Sequence, residues 1–194
     1  MNKIIAEGTM SSANIITKYR FGWDVREVGA LSALMGLLVV PVTATVGALS
    51  RTTEDRCLLK YCTVFGLFGL FLLIDFPELL RFLDDSSLAY LLKSGSVKYV
   101  VGNVIVFCSL QASESVTMSI LSKVVPPALA AGTCNSGLLA TEFGTLGRTL
   151  GNFCITVAGL INIQYMLNLI FIPAFLVLLV CYCLLQRYYA FLRC

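Results

Sequence analysis

A chain of 194 residues that is 58% hydrophobic and 13% charged has too few polar groups to cover a water-facing surface, since soluble domains carry roughly 25% charged and 45–50% apolar residues. Its mean hydropathy of +0.86 replaces one or two soluble domains with a single bundle of membrane helices. The net charge of +3 is weak and contains no long block of like charges, which excludes a nucleic-acid arm as a partner surface.

In chain order, residues 1–19 are helical in pattern but short and polar for a full span, with Lys3, Glu7 and Asn14 breaking the apolar stretch, and they do not read as a signal peptide. A spanning helix needs about 20 mostly apolar residues. The first full candidate is 31–50, with Pro41 at mid-span as an expected kink. The others are 57–76, 97–121, 137–162 and the most uniformly apolar one, 165–186, closed by Arg187, Tyr188 and Tyr189 as an interface anchor. The connection over 77–96 is long and mixed. The one over 123–135 carries Pro126, Pro127 and Gly132, which stop one helix before the next begins. The fold class is therefore all-α, a polytopic transmembrane bundle with the lipid bilayer as its first partner. Lysine and arginine divide evenly between the two sets of loops, so charge alone leaves the orientation open.

The eight cysteines form no CxxC pair, and Cys181 and Cys183 are two apart on one apolar run, which suits no zinc site. Inert buried thiols are the expectation, with no metal and no cofactor. There is no histidine, so the commonest general base is missing, and no nucleophile–base arrangement is visible. An enzyme is not expected.

Ionisable residues at membrane depth cost roughly 2.5–3.5 kcal/mol each on insertion scales, so each needs a reason. Three qualify: Glu114 in the span 97–121, and Glu142 and Arg148 in the span 137–162. On a helical wheel Gly137, Thr141, Gly144, Arg148, Gly151 and Asn152 fall on one polar, small-residue stripe. Two readings stay open. The stripe packs closely on a neighbour, or it lines an aqueous cavity in which Arg148 binds an oxyanion through paired hydrogen bonds. Glu142 is six residues before Arg148 and off its face, so the arginine meets a carboxylate on another helix, for which Glu114 is the best candidate, or an anionic substrate. Glu114 itself either carries a proton near neutral pH or is hydrogen-bonded for packing.

Two segments resemble a known family. E-S-V-T-M-S-I-L-S-K-V-V over 114–125 and A-G-T-C-N-S-G-L-L-A-T-E-F-G-T-L-G-R over 131–148 are similar to the penultimate helices of the SPX-domain major facilitator proteins, the plant-type vacuolar phosphate transporters. G-A-L-S-R-T-T-E-D-R over 47–56 resembles that family's charged loop between helices eight and nine, and K-Y-R-F-G-W over 18–23 the end of helix seven. The resemblance implies the C-terminal six-helix half of a major facilitator fold. Residues 1–19 would be a truncated helix seven and the five spans helices eight to twelve, with the N-terminal half and the SPX domain absent. It implies transport of phosphate or a similar small anion across a vacuolar or lysosomal membrane, along a path shared with the missing half as partner. The residues carried over are Arg148, Asn135 and Thr141 for the substrate, Glu114 and Glu142 for proton coupling or gating, and Gly47, Arg51, Asp55 and Arg56 for the loop, which would face the cytosol. Ala131, Cys134, Ser115 and Gly147 depart from the family pattern. The lost arginine at 131 weakens any phosphate contact in that loop. A major facilitator of other cargo, or a non-transporting protein derived from a transporter half, are the alternatives.

Overall fold

The computed structural model describes residues 2–76, 95–124, 136–161 and 165–189. The expected substrate residue Asn135 and the departures at Ala131 and Cys134 lie outside them. Six helices make up the regular structure of the described residues: α1 Asn2–Phe21, α2 Val25–Leu49, α3 Asp55–Leu73, α4 Ser96–Val124, α5 Ser136–Ile161 and α6 Met166–Arg187.

Local chemistry sets where these helices stop and start. Gly22 adopts a left-handed φ of 65°, which glycine alone reaches without strain, and the Trp23 N–H then bonds the Thr17 carbonyl at 3.2 Å. Asp24 caps the next helix at once. Its carboxylate accepts from the Val25 N–H at 2.8 Å, and Glu27 accepts from the Asp24 N–H at 3.2 Å, a reciprocal box that satisfies orphan donors. α2 therefore begins at Val25, six residues before the apolar run that marks the span. Pro41 lies inside α2, and the helix runs on through it.

The tightest packing is between α3 and α4. A Cβ on Gly69 would stand 3.0 Å from the Val106 backbone nitrogen, so only glycine allows this approach. Leu70, Leu73, Tyr99, Leu167 and Phe171 form the centre of the core, all fully buried. α1 and α5 make a second close pair, described below.

Four of the helices, α2, α3, α4 and α6, are long and apolar enough to cross a membrane. The fifth expected span, 137–162, falls on α5. α5 has the length, at 26 residues, but Glu142, Arg148, Asn152 and its glycines dilute its hydropathy. The expectation of buried thiols needs correction. Among the six described cysteines, all free, Cys62 is buried, while Cys154 and Cys183 are exposed.

Candidate functional site

Glu114 and Arg148 are both engaged by side chains of α1. Lys3 and Glu7 are four residues apart and so stand one turn apart on the same side of that helix. Lys3 reaches α4, where its Nζ donates to both oxygens of Glu114 at 2.8 and 2.9 Å. Glu7 reaches α5, where its Oε1 accepts from Arg148 Nε at 2.9 Å. Arg148 is thus paired with Glu7 and not with Glu114, the carboxylate expected for it. The reason is steric. Gly147 and Gly151 let α5 lie directly on α1: a Cβ on Gly147 would meet Lys3 at 3.1 Å, and one on Gly151 the Gly8 backbone nitrogen at 3.0 Å.

The expected stripe on α5 is therefore split between its two readings. Gly144 and Gly151 are buried and serve close packing, while Thr141, Arg148 and Asn152 are exposed on the outer face. Glu142 is also exposed. The Arg148 side chain is 65% exposed and the described hydrogen bond engages only its Nε, so the outer edge of the guanidinium points away from α1. Thr141 lies seven residues before Arg148, two turns along the same face.

Beside the Lys3–Glu114 pair lies a cavity of about 460 Å³ between α1, α3, α4, α5 and α6. Its walls are mostly apolar, among them Leu59, Leu110, Met118 and Phe143, and the ion pair is its charged feature.

The loop residues carried over by resemblance come together at the end where α2 stops and α3 starts. Asp55 accepts from Ser50 Oγ at 2.6 Å, from Ser119 Oγ at 3.0 Å and from Lys123 Nζ at 2.5 Å, which ties α3 to the ends of α2 and α4. Arg56 pairs with Glu54 at 2.5 Å and lies over the Tyr189 ring, 4.8 Å from its centroid. Cys57 Sγ and Tyr189 Oη are 2.9 Å apart. That bond, with partial burial, raises the Tyr189 phenol above its ordinary value. Gly47 and Arg51 are exposed and stand apart from this knot.

A polar group at the opposite end was not anticipated. Asp75, 2% exposed, receives a charge-assisted bond from Arg20 at the end of α1. Asn168 on α6 grips the Asp75 backbone from both sides, accepting from its N–H at 2.9 Å and donating to its carbonyl at 3.0 Å. Lys3, Glu7, Arg20, Asp75 and Asn168 are the residues that sequence reasoning passed over as functional. Lys3 and Glu7 carry a signal, being opposite charges four residues apart on one face of a helix.

Comparison with known proteins gives this arrangement a context. An SPX domain-containing membrane protein of Oryza sativa subsp. japonica is 34% identical over 178 residues, 91% of this chain and 24% of that protein. A second from the same plant is 35% identical over 179 residues, 91% of this chain and 23% of that protein. One from Arabidopsis thaliana is 32% identical over 178 residues, again 91% and 24%. The chain is related to SPX domain-containing membrane proteins. It spans about a quarter of the length of the curated relatives it matches. No family model matches it, and neither does any solved structure. The relatives' names and the four candidate spans agree on an integral membrane protein.

Proposed function

We propose that the chain is the C-terminal lobe of a two-lobed major facilitator that moves inorganic phosphate or a similar small anion across a vacuolar or lysosomal membrane. One observation carries this reading: Arg148, midway along α5, turns its guanidinium outward from the bundle and is tethered through Nε alone by Glu7. A guanidinium cannot shed its proton to escape hydrocarbon, and facing lipid at mid-helix would cost roughly 2.5–3.5 kcal/mol or more. The face that holds it, with Thr141, Thr145 and Asn152, therefore suits a water-filled path shared with a second lobe.

In this reading Glu7 is the resting counter-ion. An arriving oxyanion takes the two outer guanidinium nitrogens in a bidentate grip, with the Thr141 hydroxyl two turns along the same face. Glu114 and Glu142 serve proton coupling or gating, Glu114 by holding or releasing Lys3. The knot at Asp55 closes the cytosolic end. Relatedness to proteins named for an SPX domain supports the reading.

The test is uptake of radiolabelled phosphate into vesicles carrying the two-lobed protein. Arg148→Ala is expected to lower uptake about tenfold or more, the loss of one or two charge-assisted hydrogen bonds. Uptake unchanged in that variant would overturn the assignment.

A further inference from the structure

We propose that the cavity beside Lys3 and Glu114 binds a small amphipathic zwitterion, with the ligand's anionic group on Lys3 and its cationic group on Glu114. This site is separate from the outer face of α5, since Arg148 does not line the cavity, and it does not require phosphate to be the cargo.

Three observations converge. The cavity volume of about 460 Å³ falls within the roughly 300–1,000 Å³ of small-molecule sites. Its walls are apolar on four sides: Leu59 from α3, Leu110 and Met118 from α4, Phe143 from α5 and Leu185 from α6. Its charge is confined to one ion pair, with side chains 28% and 33% exposed. Among the lining residues the other titratable group is Cys181 on α6, while α3 and α5 contribute none.

The charge balance selects the ligand. The pair is neutral as a unit. A lone anion on Lys3 would leave Glu114 unpaired in a weakly polar wall, and a lone cation on Glu114 would strand Lys3. Either orphan is costly. A zwitterion opens the pair and satisfies both halves at once, so no proton or counter-ion need enter with it. The pair is built to open on one side. The stem of Lys3 is pinned against Gly147 at Cβ and Cγ, within 3.1–3.2 Å of where a Cβ would stand. Its Nζ, at the end of a flexible four-carbon chain, is held by Glu114 alone among the described contacts, so a ligand that takes Glu114 releases it. The apolar body of the ligand then fills the space between Leu110, Met118 and Phe143, where water would find few hydrogen-bonding partners.

The probe is leucine, with N-acetyl-leucine as the anion-only analogue and leucinamide as the cation-only analogue. Binding of tritiated leucine is measured on the full chain in lipid nanodiscs, with a thermal melt of each variant to establish folding. Leucine is expected to bind, and each single-charge analogue to compete about tenfold or more weakly, because each leaves one half-buried charge unpaired. Lys3→Met and Glu114→Gln are each expected to abolish binding. The swapped pair Lys3→Glu with Glu114→Lys is expected to restore it, and Met118→Trp to remove it by filling the cavity while leaving both charges in place. Absence of leucine binding to the folded chain would overturn the proposal. So would competition by N-acetyl-leucine as strong as by leucine, or undiminished binding in Lys3→Met.

Discussion

Replacing Asn168 by leucine keeps the volume of the side chain and removes its grip on the Asp75 backbone. Two hydrogen bonds vanish, at 2.9 and 3.0 Å, and both backbone groups stay buried with a residue that is 2% exposed. An orphaned buried polar group costs about 1–3 kcal/mol, which would give roughly 2–6 kcal/mol for the two. Measured side-chain hydrogen bonds between membrane helices average only about 0.6 kcal/mol each, which sets a floor of roughly 1 kcal/mol. Because the affected groups belong to the backbone and cannot rotate toward water, the expected cost lies between, at about 2–3 kcal/mol. For a chain of this size that lowers the melting temperature by about 4–12 °C. The assay is reversible unfolding in mixed micelles, followed by circular dichroism. The grip is on the backbone, so at least half of the cost should persist when measured in an Asp75→Asn background, residues in contact not being strictly additive. A shift under 1 °C, or a cost that disappears in that background, would refute the reasoning.

Three further outcomes follow from the geometry. Arg20→Met removes the cation that donates to the buried Asp75 carboxylate, leaving the charge of Lys98 to act on it, and should cost about 2–4 kcal/mol, with part of the loss recovered in Arg20→Met/Asp75→Asn; chemical denaturation of the three variants measures it. Gly151→Leu drives a side chain into the Gly8 backbone, where even a Cβ would stand at 3.0 Å, and should cost about 1–3 kcal/mol. A disulfide engineered between α1 and α5 should then form more slowly than in the parent. Asp55→Ala removes the acceptor shared by Ser50, Ser119 and Lys123. It should cost about 2 kcal/mol, more than Lys123→Ala, whose side chain is half exposed and should cost about 1 kcal/mol or less.

The helices were legible because apolar runs and their breakers are local features. The start of α2 at Val25 was legible too, through the Asp24 and Glu27 box, but the charges of Arg26 and Glu27 read as loop when hydropathy alone was followed. Splitting the stripe on α5 needed the structure. Periodicity places Gly144, Arg148 and Gly151 near one another on a wheel, yet a stripe that wide has two edges, and only the position of α1 decides which edge is buried. The partners of the charges were not legible at all. Lys3 and Glu114 are 111 residues apart, and Asp75 and Asn168 are 93 apart, so no spacing rule joins them. The sequence points to Glu114 as the partner of Arg148 because it is the carboxylate most visibly inside an apolar run. Glu7 lies in a segment too polar to look buried, and it becomes available because Gly147 and Gly151 bring α1 against α5.

Whether the outer face of α5 borders a water-filled anion path is tested most directly by chemical access beside Arg148. With the eight native cysteines replaced, a single cysteine at Thr145, one turn from Arg148 on the exposed face, is treated with a membrane-impermeant thiol reagent in the two-lobed protein. Rapid labelling that phosphate slows, and that phosphate no longer slows in Arg148→Ala, is the predicted result. A cysteine at Thr145 that the reagent does not reach, or labelling indifferent to phosphate in the parent protein, would contradict the account.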